Sequence, residues 1–296
     1  MAVFCDEACS ITTGSSNGEI ILMKVHLYAL CKNEARMLPF FFRHYDSWVD
    51  RYIIYDDDST DASVEICREN SKVEVRKFLH ADPDSFIISQ KLLSDSCWKE
   101  SKGVADWVII VDIDEHLVHS DMKAYLERCR RSNVTIIPAI GYQMLSRVFP
   151  DENHHLCATN TIGAFWDKMC KPSIFNPNTI DEINFIYGRH IAYPVGDARL
   201  PDNDELQLLH YKYLSLDYIM QRFAVLKTGT GRRDVENKWR GKYCWTRQKV
   251  EAHWAEFEKR AIDLRENRGI GNVERQKLWW RNRADSHSVF TESPSS

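Results

Sequence analysis

The run Trp-Val-Ile-Ile-Val at 107–111 constrains the fold of this chain more than any other segment. All five side chains are apolar, and four of them are β-branched. A strand that is apolar at every position must be covered on both faces, which is typical of the parallel sheet of an α/β protein. Strand-like and helix-like segments alternate before and after this run, so the sequence predicts repeated βαβ units.

The predicted strands cover 24–31, 51–55, 73–78, 107–111 and 134–137, and the predicted helices cover 35–48, 60–70, 86–104 and 121–131. The second half is rich in aromatic residues and prolines, and helical stretches follow residue 214. We predict a loose lead-in at 1–23, a main domain at 24–214 whose halves meet near residue 120, and a basic helical extension at 215–296. The extension is expected to pack on the same domain.

The charge of the chain narrows the class of partner. The 296 residues carry a formal net charge of −4, whereas nucleic-acid-binding domains are usually basic, so no nucleic-acid partner is expected. Positive charge is concentrated at 221–283, which holds 17 Lys or Arg against 8 Asp or Glu. This segment fits either a solvated helical face or contact with anionic groups of a ligand or a membrane surface.

Cysteine usage and hydropathy bear on the compartment. The nine cysteines are scattered and mostly lie in apolar runs, a pattern typical of reduced thiols, so we expect a cytoplasmic protein. No apolar run approaches the ~20 residues that span a bilayer, and no secretory signal is recognisable at the N-terminus. The spacing of His154, His155, Cys157 and Cys170 matches no standard zinc arrangement.

Polar clusters follow three of the predicted strands: Lys32-Asn33-Glu34, Asp56-Asp57-Asp58-Ser59 and Asp112-Ile113-Asp114-Glu115. Parallel sheets bind ligands at the carboxyl ends of their strands, so we expect the three clusters to share one site. Side chains at i and i+2 of a strand point to one face, so Asp112 and Asp114 should converge. Paired carboxylates suit Mn²⁺ or Mg²⁺, although a solvated turn of acids is the alternative.

The second cluster places three carboxylates in a row, which repel one another unless a ligand or a cation compensates. Asp56 stands at the strand end, where it could accept hydrogen bonds from a nucleoside. Asp58 and Ser59 could equally cap the helix that follows. Both readings stay open from the sequence.

These motifs, in this order, resemble glycosyltransferase family 2, in particular the branch with a WxxxxDxDEF block. The resemblance covers residues 24–120 well and implies a Rossmann-like GT-A fold, with a donor half at about 24–120 and an acceptor half at about 121–214. It implies inverting transfer of a sugar from a nucleotide-sugar, most often a UDP-sugar, to a hydroxyl acceptor such as a glycan, with Mn²⁺ or Mg²⁺. The donor-binding residues that it implies are Lys32, Asn33, Glu34, Asp56, Asp58, Gln90, Asp112 and Ile113, with Asp114 as the main metal ligand and Asp112 beside it.

The second half resembles the same branch more thinly, through Lys171-Pro172, His190, Leu209-His210-Tyr211, Ser215 and Arg222. By that resemblance His210 is a third metal or diphosphate ligand, unless it is a structural histidine, and Arg222 belongs to the donor site. An inverting transferase also needs a general base. Asp181 and Glu182 are the predicted pair, with Asp197 as another option.

Two other functions fit the same acids. In haloacid-dehalogenase-like phosphatases an Asp-x-Asp pair supplies a nucleophile and an acid/base, here Asp112 and Asp114. Glu115 and the late position of the pair along the chain disfavour that function. A nucleotide-sugar-binding protein without turnover is the other alternative, and the presence of the acids disfavours it.

Overall fold

The computed structural model describes residues 23–266 and 270–281 of the chain. The predicted lead-in, apart from residue 23, and the end of the predicted extension lie outside these ranges.

The described residues form a ten-stranded sheet, a two-stranded sheet and short flanking helices. The strands are β1 Val25–Cys31, β2 Arg51–Asp56, β3 Val73–Lys77, β4 Trp107–Ile110, β5 Glu115–Val118, β6 Ile136–Leu145, β7 Ile162–Phe165, β8 Lys171–Phe175, β9 Ile180–Glu182, β10 Val195–Gly196, β11 Gln207–Tyr213 and β12 Ile262–Asp263. The helices are α1 Leu38–Tyr45, α2 Ser63–Glu69, α3 Phe86–Ser96, α4 Met122–Arg131, α5 Leu156–Thr159, α6 Leu216–Thr228, α7 Arg232–Glu236, α8 Arg247–Glu258 and α9 Asn272–Arg275.

The first half of the large sheet is parallel. Its strands lie in the order β3-β2-β1-β4, and each neighbouring pair is parallel. All four residues of β4 are buried, as its apolar sequence predicts. The predicted α/β class, with a Rossmann-like parallel core flanked by helices, is confirmed.

The second half of the sheet is mixed. Strand β8 lies antiparallel between β4 and β6, and β11 pairs with β6 in parallel and with β5 antiparallel. The predicted strand at 134–137 stops at Pro138, but β6 continues to Leu145. The pairing of β6 with β8 changes register between Ile137 and Ala139, and a proline, which lacks an N–H, is tolerated at such an irregularity.

The basic C-terminal segment packs against this second half. Apolar side chains of α6 and α8, including Phe223, Trp254 and Phe257, form a buried cluster with Leu145 of β6 and Tyr213 of β11. No helix in the described ranges is long and apolar enough to cross a membrane. The seven cysteines within these ranges are free thiols.

One buried carboxylate ties this segment to the first half. Asp234 of α7 is fully buried and accepts hydrogen bonds from Ser85 Oγ at 2.6 Å and from the Phe86 backbone N–H at 2.9 Å. It also accepts one from the Gly231 N–H at 3.0 Å. Ser85 caps α3, so the Asp234 charge lies at the N-terminus of that helix, where a negative charge is favoured.

We predict that Asp234→Ala lowers the free energy of unfolding by about 2–3 kcal/mol, because it leaves buried donors at the start of α3 without an acceptor. Denaturant unfolding of the purified protein measures this. Glu236→Ala, at an exposed acid of the same helix, is the matched control and should stay within about 0.5 kcal/mol of the wild type. Equal stability of the two variants would contradict the assigned role of Asp234.

Candidate active site

A cleft of about 320 Å³ opens at the carboxyl ends of β1 and β4. Four carboxylates line it: Glu34, Asp112, Asp114 and Glu115. The cations that line it are Lys32, Lys171, Lys212, Arg222, Arg240 and Lys242. The expected meeting of the first and third polar clusters at this sheet edge is therefore observed.

The acids after β4 converge through a turn rather than along a strand. The backbone N–H of Glu115 donates to Asp112 O at 3.0 Å, and the N–H of Asp112 donates to Glu115 Oε2 at 3.1 Å. This turn directs both Asp112 and Asp114 into the cleft and starts β5 at Glu115. The predicted convergence is present, but strand alternation is not its cause.

Asp114 is buried and meets two side chains of β11. Its Oδ2 lies 3.5 Å from His210 Nε2 and 3.4 Å from Lys212 Nζ. The pairing of β11 with β5 brings them there, since His210 lies opposite Glu115 in the register. Burial opposes ionisation of Asp114, but Lys212 and His210 outweigh it and hold the pKa of the carboxyl well below its usual range.

The hydrogen bonds of Gln143 fix the orientation of His210. Its Nε2 donates to the backbone oxygens of Met144 and His210, which turns its Oε1 toward His210 Nδ1 at 2.8 Å. That oxygen can only accept, so Nδ1 carries the proton and Nε2 presents its lone pair to Asp114. Burial lowers the pKa of His210, which favours this neutral form.

Two acceptors that face each other in a buried site repel unless a cation lies between them. Asp114 and His210 therefore fit a divalent ion. A carboxylate with an imidazole suits Mn²⁺ better than Mg²⁺, which prefers oxygen ligands alone.

Asp112 and Glu115 are held by cations from the second half of the chain. Arg189 donates to Asp112 Oδ1 at 2.8 Å and lies 3.5 Å from Glu115 Oε2, while Lys171 contacts Glu115 directly. Burial disfavours the charge of Asp112, but Arg189 and Lys171 overcome it and lower its pKa to about 2. Sequence reasoning missed Arg189, because only the fold brings it to β4.

Arg222 serves the loop that follows β1. It forms an ion pair with Glu34 and donates to the backbone oxygens of Lys32 at 2.9 Å and Asn33 at 2.6 Å. Asn33 has a positive φ of 52°, and its side chain bonds Thr60. The structure thus brings the predicted residues 32–34 and Arg222 together, with Arg222 fixing the loop's conformation.

Among the three adjacent acids the structure buries Asp57, which the sequence reasoning did not single out. Asp57 contacts Lys32 Nζ at 2.9 Å and His80 Nε2 at 2.7 Å. Asp56 accepts from the backbone N–H of Ser59 at 3.1 Å, and Asp58 is exposed and pairs with Lys77 at 3.0 Å. Neither Asp56 nor Asp58 lines the cleft, so their predicted donor contacts stay predictions.

The remaining predicted residues divide between the cleft and other places. Gln90 of α3 lines the cleft, whereas Ile113 is fully buried in the core. Asp181 and Glu182 lie on β9, away from the cleft lining. Asp181 is 75% exposed, and Glu182 pairs with Lys99 at 2.5 Å. The structure does not bring either carboxylate to the other acids, and a role as base stays a prediction.

A short segment after α7 supplies cleft residues that the motifs did not indicate. Arg240 donates to the backbone oxygens of Leu226 and Gly229, and its guanidinium lies 4.0 Å from the Phe86 ring centroid. Lys242 forms no hydrogen bond or ion pair with a described residue, and burial lowers its pKa. The basic excess at 221–283 was the only sequence signal for these residues.

The cleft carries more positive than negative charge. Each of its four carboxylates has a cationic partner: Glu34 has Arg222, Asp112 has Arg189, Asp114 has Lys212 and Glu115 has Lys171. Lys32 is paired with Asp57. Among the described residues, Arg240 and Lys242 are the lining cations left without a carboxylate. This surplus favours an anionic ligand.

Comparison with solved structures finds three of similar overall shape, all at low identity. Residues 1–349 of TarS from S. aureus in complex with UDP align with a TM-score of 0.35 and 10% identity, over 70% of this chain and 65% of that one. The same TarS fragment in complex with UDP-GlcNAc gives 0.34 and 11%, over 70% and 66%. Glucosyl-3-phosphoglycerate synthase from Mycobacterium tuberculosis, in complex with Mn²⁺, UDP and glucosyl-3-phosphoglycerate, gives 0.28 and 16%, over 40% and 44%.

The match therefore spans less than two thirds of each of these chains. No curated protein matches the sequence. The family comparison is more specific, because the model of glycosyltransferase family 92 matches residues 37–263. That range includes the acids after β4, β11 and the cationic segment after α7. The predicted glycosyltransferase class is confirmed at this level, whereas the family 2 branch is not. The chain belongs to glycosyltransferase family 92.

Proposed function

We propose that this chain transfers a sugar, with inversion, from a nucleotide-sugar to a hydroxyl acceptor such as a glycan, with a divalent ion at Asp114. A UDP-sugar is the donor that the sequence resemblance favours. The leading support is the charge of the cleft, where Arg240 and Lys242 remain after every carboxylate is paired. Two unpaired cations balance the two negative charges of the diphosphate that joins a nucleoside to its sugar.

The dimensions and lining of the cleft agree with such a donor. Its volume of about 320 Å³ falls at the lower end of the ~300–1,000 Å³ of small-molecule sites. Gln90 and Lys32 line the side nearest β1 and α3, where the nucleoside would lie. Tyr187 and Trp239, with ring centroids 4.5 Å apart, line it as well and offer apolar faces for an acceptor sugar ring.

The cations suit the chemistry of the transfer. When the acceptor hydroxyl attacks the anomeric carbon, the bond from that carbon to the diphosphate breaks and negative charge grows on the leaving oxygen. Lys242 and Arg240 would stabilise that charge from fixed positions, which costs no reorganisation during the reaction. A divalent ion, held by Asp114 and His210 with Asp112 nearby, would supply further positive charge at the same diphosphate.

The contacts of the acids bear on the phosphatase alternative. A nucleophilic aspartate must approach the phosphorus atom freely, whereas Asp112 is engaged by Arg189 and lies next to Lys171. The buried ion pairs instead fix the acids as a rigid wall. A nucleotide-sugar-binding protein without turnover would share the same wall and is separated from a transferase only by turnover.

We predict that Lys242→Ala weakens the binding of UDP by about 10- to 100-fold, because it removes one charge-assisted contact with the diphosphate. Isothermal titration calorimetry with UDP, GDP and dTDP measures the effect and identifies the preferred nucleotide. Lys259→Ala, at an exposed lysine of the same basic segment, should bind within about two-fold of the wild type. Equal affinities of the two variants would remove the main support for the donor site.

The metal is tested separately. We predict that Mn²⁺ increases the thermal stabilisation that a nucleotide-sugar gives the protein, and that Asp114→Ala abolishes this increment. Asp58→Ala, at an exposed acid, should retain it. The Asp114 role is contradicted if chelation leaves the wild-type stabilisation unchanged, or if Asp114→Ala responds to Mn²⁺ as the wild type does.

A further inference from the structure

A second group of metal-ligand side chains lies outside the cleft. His44 at the end of α1, His116 of β5 and Cys157 of α5 present ligand atoms that all lie within 4.8 Å of one another. The three residues are separated by 72 and 41 positions in the sequence, so no spacing motif reveals them. None of them lines the cleft.

The distances approach those of a metal site. Cys157 Sγ lies 3.4 Å from His44 Nδ1 and 4.0 Å from His116 Nδ1. Tetrahedral zinc with Zn–S of about 2.3 Å and Zn–N of about 2.0–2.1 Å places sulfur and nitrogen ligands roughly 3.5 Å apart. The two sulfur–nitrogen edges therefore need shifts of only about 0.5 Å or less to accept the ion.

His44 is already in the form that binds a metal. Its Nε2 lies 2.8 Å from the backbone oxygen of Leu117, which can only accept, so Nε2 carries the proton and Nδ1 has the lone pair. A hydrogen bond from the second ring nitrogen to a carbonyl is how metal-binding histidines are usually oriented. Burial also lowers the pKa of His44 to about 4, so the ring is neutral at physiological pH.

His116 is fully buried, and its Nε2 has no hydrogen-bond partner. Its ring stacks on that of His44, with centroids 4.6 Å apart and planes 8° from parallel. A metal must lie near the plane of each ring, so binding requires one ring to rotate out of the stack. His44 is held by Leu117, whereas no hydrogen bond holds the His116 Nε2, and His116 is the ring that can turn.

We propose that His44, His116 and Cys157 form a site for a borderline-soft transition metal of the zinc type, separate from the divalent-ion site at Asp114. Two neutral imidazoles and a thiolate are ligands that zinc favours over magnesium or calcium. The thiol proton leaves to solvent when the metal–sulfur bond forms. The site would join α1 and α5 to β5, the strand that begins with Glu115 of the cleft.

Cobalt(II) reports this site independently of activity, because a cobalt–thiolate bond gives a charge-transfer band in the near ultraviolet that oxygen ligands do not give. The full-length protein is stripped of metal with a chelator, kept reduced and titrated with Co²⁺ and then with Zn²⁺. We expect one equivalent of Co²⁺ to produce the band and Zn²⁺ to displace it. Absence of the band in the wild type would overturn the proposal, whatever the variants do.

Variants locate the site. Cys157→Ser should abolish the band and weaken Zn²⁺ binding on the order of 100-fold. Cys170→Ser, at another buried thiol, which accepts from the Gly141 N–H, should keep both. Asp114→Asn should also keep the band, which separates this site from the cleft. A band that survives in Cys157→Ser, or that is lost in Cys170→Ser or Asp114→Asn, contradicts the assignment.

Discussion

Four buried or half-buried carboxylates meet at one sheet edge, and their need for cationic partners organises the rest of the structure. Moving an ion out of water costs several kcal/mol unless a partner compensates. Arg189, Lys171, Lys212 and Arg222 supply that compensation, and all come from the second half of the chain. The mixed half of the sheet and α6 therefore close over the parallel half, and the acids fold into ion pairs before any ligand arrives.

This pairing changes how the acidic motif is understood. Read alone, an Asp-x-Asp turn suggests a strongly negative site that waits for a metal. In the folded chain the acids are balanced, and the net charge of the cleft is set by Arg240 and Lys242. Asp114 keeps one unsatisfied feature, because the lone pair of His210 faces it at 3.5 Å. A metal at that point would complete an existing contact.

The parallel half could be predicted from local sequence, because each strand and each polar cluster lies within a few residues of the turn that positions it. The wholly apolar 107–111 run and the acids that follow it are of this kind. Arg189, Lys212 and Lys242 could not be found in this way, since their places depend on the pairing of β11 with β5 and on the docking of the segment after α7. The choice of Asp57 over Asp56 as the buried acid also depends on a turn that alternation does not describe.

Strand β5 connects the two proposed sites. Successive side chains of a strand point to opposite faces, and here Glu115 contacts Lys171 at the cleft while His116 stacks on His44 on the other side. An ion held by His116 would thus hold the strand that carries Glu115. The cleft and the histidine–cysteine cluster are chemically distinct, yet they share four residues of backbone.

The account depends most on whether the cleft turns over a nucleotide-sugar. The direct measurement is release of free nucleoside diphosphate from a panel of UDP-, GDP- and dTDP-sugars, with Mn²⁺ and simple sugar acceptors, by the wild type and by Asp114→Ala. We predict that one nucleotide-sugar class is consumed by the wild type and that the variant loses most of this activity. Binding without release would make the chain a nucleotide-sugar-binding protein, and phosphate release from simple phosphoesters alone would contradict the account.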